Sequence, residues 1–366
     1  MKLLESGVSI CSTHALFAMM NDDMLNEFKR KEYVLVCDET IQAIERIDET
    51  YKNIAFLLNH KVVSVDDQGN VSWNDDAYNE LSGSGYYDKL ALECQKGDVV
   101  LVKDRTSISL MRYMNPAFFT SFKEVFVLTY RFTGSPMDGY FAINKMPYNL
   151  YHAECKNGKY VIEPGYKAGR IDKVVHLICN DKLNDIGDGY YDLSYTWYNN
   201  RKNGNEGKMN EDIAKLSNNL RTFFERRCDD SKSKDNLFTT YRGFENMIDG
   251  RGYAARNCFC SFNTRATNEY RNKTNVAFMI NRFISPVERN FFNNRGIKID
   301  ETNNTLNEMI QFIWRSAIRT GTPINLYIPS KRMRDMFIEW WDSVSMKPID
   351  CCGEIRKYFF LNKQDS

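Results

Sequence analysis

The chain has 366 residues, 43% of them hydrophobic and 27% charged, with a formal net charge of +1. That balance excludes wholesale disorder, and the length suits two domains better than one. No apolar run approaches the ~18 residues that a membrane helix needs, and Glu5 and His14 interrupt the N-terminal stretch where a signal peptide wants an unbroken apolar core. The ten cysteines contain no C-x-x-C, and the four histidines contain no H-x-x-x-H. Neither a disulfide framework nor a zinc site is announced by spacing, so an intracellular protein in a reducing compartment is expected.

In chain order, the first short apolar run is Tyr33-Val34-Leu35-Val36-Cys37, which ends in Asp38 and Glu39. The segment 62–100 alternates and carries turn clusters such as Asp66-Asp67-Gln68-Gly69-Asn70, as β-hairpins do. A second apolar run, Val125–Leu128, ends in Thr129 and Tyr130. Residues 145–170 again read as a hairpin, turning at Asn157-Gly158. Further runs are 174–178, 276–280 and 324–328. Because these runs are apolar throughout, sheets covered on both faces are expected. A helix is expected over 210–227, with Asn210 as its cap and Ile213, Leu216, Leu220, Phe223 and Phe224 on one face. Strands alternating with helices give an α/β fold.

Charge divides the chain. Residues 1–165 hold 17 lysines and arginines against 23 acids, whereas 242–334 hold 15 against 7. A boundary near 165–172 follows, giving domains 1–165 and 166–366, the second suited to a polyanion.

Three places could carry chemistry. Acids at the carboxyl end of a buried strand can hold Mg²⁺ and polarise a water. The donor-rich stretch from Asn263 to Thr274, followed by Asn281-Arg282-Phe283, could meet a nucleic-acid backbone, as could the basic cluster 329–334. In 306–319, Leu306, Met309, Ile310 and Ile313 share one helical face, while Gln311, Arg315 and Arg319 step by four along the other. That line of one amide and two guanidiniums suits phosphate oxygens.

The order of these blocks resembles that of superfamily-two DEAD/DEAH-type helicases, especially the divergent helicase-like proteins of phages and mobile elements. The carrying residues are Ser12-Thr13-His14, Asp38-Glu39, Leu128-Thr129-Tyr130, Phe238-Thr239-Thr240-Tyr241, Arg265-Ala266-Thr267-Asn268-Glu269-Tyr270 and Gln311 to Arg319. The resemblance implies two RecA-like lobes of parallel sheet flanked by helices, with β-hairpin insertions. It implies ATP-dependent movement on nucleic acid, DNA rather than RNA, with ATP and Mg²⁺ as cofactors. Asp38 would hold Mg²⁺ and Glu39 would activate water. Thr129 and Gln311 would touch the nucleotide, and Arg315 and Arg319 would act as arginine fingers. Thr13, His14, Thr240, Arg265, Thr267, Asn268 and Arg271 would line the nucleic-acid track. No G-x-x-x-x-G-K-S/T loop is present. The first lobe is therefore expected to be incomplete at its N-terminus, with a missing segment or a partner chain finishing the ATP site. The alternative expectation is a helicase-like module that binds nucleic acid without catalysis.

Overall fold

A computed structural model describes the chain apart from residues 1, 14–19, 82–84, 104–107, 168, 180, 203–209, 229–230, 250–257, 265–266, 348 and 352–366. His14 and Arg265 therefore lie outside the described residues. Two units form: Met1–Tyr148 with Ile284–Asn304, and Asn149–Phe283 with Thr305–Ser366. This division differs from a single cut near 165. The hairpin of 149–165 goes with the second unit, and 284–304 returns to the first because Phe291, Phe292, Ile297 and Ile299 pack into its core.

The first unit carries strands β1 (Val34–Cys37), β2 (Ile44–Arg46), β3 (Val63–Val65), β4 (Val71–Trp73), β5 (Val99–Lys103), β6 (Ile108–Tyr113) and β7 (Glu124–Val127). β1 and β7 form a two-stranded parallel sheet, β2-β6-β5 an antiparallel sheet, and β3-β4 a hairpin. The β3-β4 turn forms where expected: the Asp66 carboxylate accepts from the backbone of Gln68 and Asn70 and from the Asn70 amide, and Gly69 supplies a φ of 90°. One core gathers Leu35, Cys37, Phe118, Phe119, Tyr140 and Phe292; a second gathers Ile54, Leu57, Val62, Val99 and Leu110.

The expectation of two covered faces fails for the first parallel sheet. Leu35 and Cys37 face the core, while Val34, Val36, Phe126 and Leu128 are exposed. Only one side of this pair meets a hydrophobic core among the described residues, so its apolar runs are half used.

The second unit holds β8 (Tyr151–Lys156), β9 (Lys159–Pro164), β10 (Val175–Ile178), β11 (Asn236–Thr239), β12 (Asn275–Phe278), β13 (Ile324–Tyr327) and β14 (Asp350–Cys351). β8 and β9 make a hairpin whose Asn157 and Gly158 both take positive φ, as a tight two-residue turn requires. The other five strands form a parallel sheet in the order β11-β12-β13-β10-β14. Here both faces are covered: every residue of β11 and β12 is buried. The expected helix runs from Glu211 to Thr222, capped by Asn210, and continues as a π-turn through Phe223 and Phe224. The helix Lys331–Val344 buries Phe337 and Trp341, whose rings stack.

A row of amides sets the register of this sheet. Asn236, Asn275 and Asn325 stand opposite one another on β11, β12 and β13. Asn275 Nδ2 donates to Asn236 Oδ1 at 2.9 Å, and Asn325 Nδ2 donates to Asn275 Oδ1 at 2.9 Å. Sliding any strand by one residue would bury these groups without partners.

Candidate functional site

In the first unit, Asp38 and Glu39 follow β1 directly and Thr129 follows β7 by one residue. The two strands are parallel, pair Cys37 with Val127, and are extended by a bond from Leu128 N to Cys37 O at 2.8 Å. The acids and Thr129 thus share one carboxyl edge, with Asp38 exposed and Glu39 half-buried. An exposed carboxylate of this kind fits a largely hydrated Mg²⁺.

A triphosphate fits less well. The turn after β7 leads into the helix Pro136–Ile143, where an anion could meet free backbone N–H groups. That end is already served by protein groups. Ser135 caps it, and Asp138 Oδ2 accepts from Gly134 N at 2.7 Å while its other oxygen accepts from Tyr148 Oη at 2.7 Å. A carboxylate sits where a phosphate would have to go, and no lysine-bearing glycine loop stands at this edge among the described residues.

In the second unit, the expected line of Gln311, Arg315 and Arg319 does not form. The helix spans Glu301–Ile313, and Ser316 is extended before a 3₁₀ turn at Ala317–Thr320. Ser316 is buried and its hydroxyl donates to Ile313 O at 2.7 Å, and the α-helix stops at Ile313, before the expected line reaches Arg315 and Arg319. Gln311 stays on the helix and donates to Asn307 Oδ1 at 3.1 Å.

The two arginines instead reach back to the loop before β12. Arg315 donates through Nη1 to Phe262 O at 3.1 Å and through Nη2 to Thr264 O. Arg319 Nη1 donates to Asn268 Oδ1 at 3.0 Å. Thr267, Asn268, Arg315 and Arg319 are thereby brought into one neighbourhood, with exposed Arg271 tied to it by its N–H on Asn268 O. Thr267 Oγ1 accepts from Glu269 N. Two placements depart from a nucleic-acid track: Thr240 is fully buried behind the end of β11, whereas Thr13 is exposed in the other unit.

The carboxyl edge of the five-stranded sheet holds a second cluster. Open α/β sheets bind ligands where the strand order reverses, here between β13 and β10. That crevice is filled: a Cβ on Gly187 would stand 2.3 Å from Pro329 O, so the turn after β10 and the loop after β13 touch backbone to backbone. Beside it, Arg332 donates to Asn281 Oδ1 at 3.0 Å and Arg282 O at 2.9 Å, with its guanidinium 4.2 Å from the Phe283 ring centre. Asn281, fully buried, donates to Tyr190 O and Asp192 O at 2.8 and 2.9 Å. These bonds hold Tyr190 and Tyr191 against Phe283, with centroids 5.8 and 5.6 Å away. Tyr190 is 60% exposed and Tyr191 70%. The result is a rigidly backed aromatic surface with a cation on it, a combination that stacks unpaired bases. Asn281, Arg282, Phe283 and the 329–334 cluster are legible in the sequence; Tyr190 and Tyr191 are not singled out by spacing, and the adjacent tyrosines behind Gly189 are the one signal that could have marked them.

Residues 169–341 match the family described as the YonV C-terminal Rossmann-like domain. The SPbeta prophage-derived protein YonV of Bacillus subtilis (strain 168) is 32% identical over 350 residues, an alignment that spans 93% of this chain and 82% of that protein. No solved structure matches. The Rossmann-like description agrees with a parallel sheet flanked by helices, and no helix among the described residues is long and apolar enough to cross a membrane.

Proposed function

The chain belongs to the YonV family, and from that premise we propose that it binds single-stranded nucleic acid along the carboxyl edge of its Rossmann-like sheet. The observation that carries the reading is the exposed pair Tyr190 and Tyr191 on Phe283, locked in place by Asn281 and charged by Arg332. Bases would stack on the rings. Beside the rings, Lys331 and Arg332 of the 329–334 cluster would meet the backbone. The prophage-derived relative favours DNA as the strand bound.

The test is fluorescence anisotropy with labelled single-stranded DNA, single-stranded RNA and duplex DNA across a salt series. Single strands are expected to bind more tightly than duplex. Tyr190→Ala with Tyr191→Ala should weaken them by about 30-fold or more, since each of two stacked bases contributes ~1–3 kcal/mol. No binding at low salt, or binding indifferent to both tyrosines, overturns the reading.

A second reading, an ATP-dependent helicase or translocase with two RecA-like lobes, is favoured by one observation. Asp38, Glu39 and Thr129 end adjacent parallel strands at the same edge. These residues fit Mg²⁺, whereas the described residues do not cradle a triphosphate. The reading therefore needs a phosphate loop brought by a further segment or a partner chain. DNA-stimulated ATP turnover that Glu39→Gln abolishes would support it. An absence of turnover in lysate-assembled complexes would leave binding as the whole activity.

A further inference from the structure

We propose that the β8-β9 hairpin carries a binding site for a divalent transition ion of the zinc type, formed by His152, Glu154 and Glu163. One ring nitrogen of His152 and one carboxylate oxygen from each glutamate lie within 4.8 Å of one another. The sequence hides this cluster because the ligands come from two strands. Antiparallel pairing sets His152 directly opposite Glu163, and Glu154 follows His152 by two residues on the same face. All three side chains are half-buried on that face, while Tyr151, Tyr160 and Ile162 point to the other.

The histidine is prepared for a metal. Its Nδ1 lies 2.9 Å from Gly165 O. A carbonyl can only accept, so Nδ1 carries the proton and Nε2 keeps the lone pair a metal needs. A backbone carbonyl behind a ligand histidine is the usual device for setting tautomer and ring orientation. One imidazole nitrogen and two carboxylates form a donor set for zinc and its neighbours, with a fourth position left for water. Metal–ligand distances of about 2.0–2.2 Å require the three donors to draw closer. Both glutamates can do this by side-chain rotation, since the hairpin already fixes their backbone.

Lysines now balance the acids. Glu154 pairs with Lys167 at 2.5 Å and Lys156 at 3.7 Å, and Glu163 pairs with Lys156. Both lysines are about half exposed, and ion pairs of that kind hold weakly. They compete with a metal without excluding it. A bound ion would staple the two strands and, through Gly165, the turn that leaves them.

Zinc binding is measured by titration calorimetry on the full chain carrying Cys11→Ser and Cys155→Ser, which removes the exposed thiols among the described residues. One equivalent of Zn²⁺ is expected, with affinity at least tenfold lower in His152→Ala and in Glu163→Gln. Lys167→Ala, which removes a competitor, should tighten binding several-fold, a gain that misfolding cannot imitate. Circular dichroism of each variant verifies the fold. The proposal is overturned by an absence of saturable binding, or by binding indifferent to all three substitutions, in which case the cluster is an ion-pair ladder only.

Discussion

Replacing Asn275 by alanine tests the amide row at the amino edge of the parallel sheet. Asn275 is 3% exposed and makes three side-chain bonds: to Asn236 Oδ1 at 2.9 Å, to Ser231 Oγ at 3.2 Å, and from Asn325 at 2.9 Å. Asn236 retains Ser231 as a donor after the change, at 2.7 Å, but the Asn325 amide loses its acceptor between two strands. Net worth is ~1 kcal/mol per hydrogen bond, so three bonds amount to about 3 kcal/mol. Four of the five tryptophans, Trp197, Trp314, Trp340 and Trp341, belong to this unit, so tryptophan fluorescence in a urea titration follows its unfolding chiefly. The midpoint should fall while the slope stays unchanged. Asn325→Ala in the same background should add less than its effect in the wild type, with a coupling of about 1 kcal/mol. A loss below about 1 kcal/mol, or strictly additive effects, would refute the view that these amides act as one row.

Three further outcomes follow. Gly187→Ala, whose Cβ would meet Pro329 O at 2.3 Å and Ser330 N at 2.9 Å, should lower the same midpoint by roughly 1–3 kcal/mol, because the opposing atoms are backbone and cannot swing away; an unchanged midpoint would mean the two segments part easily. Burial raises the Asp98 carboxyl above its ordinary value, and its Oδ1 has no hydrogen-bond partner. The folded state thus holds that proton more tightly than the unfolded chain, and ionisation weighs against folding as pH rises from about 4, the unfolded value. Asp98→Asn should therefore raise the melting temperature at neutral pH and do so less at acid pH; an equal effect at both would remove titration as the cause. Arg315→Ala frees the carbonyls of Phe262 and Thr264, so limited trypsinolysis should cut faster at Arg271; unchanged cleavage, with a salt slope shallower by about one, would make Arg315 a phosphate contact instead.

What could be read from the residues was local. Short apolar runs mark β1, β7, β10, β12 and β13, Asn210 marks a helix start, and Asn157-Gly158 marks a hairpin turn, because each depends on the conformational preferences of a few neighbouring residues. The acids after β1 and the hydroxyl residue after β7 were equally visible, since strand ends lie beside their strands. Tertiary structure decided the rest. Identical-looking apolar runs are covered on both faces in β12 and on one face in β1, as coverage comes from elements far along the chain. Residues 284–304 lie within the basic stretch 242–334 yet pack with the first unit, because Phe291 and Phe292 find their core there. The helical line through Arg315 and Arg319 breaks at buried Ser316, and the arginines meet carbonyls some fifty residues earlier. His152 meets Glu163 only through strand register. Periodicity describes which way a side chain leaves its own backbone; what it meets there is set by the packing of the whole unit.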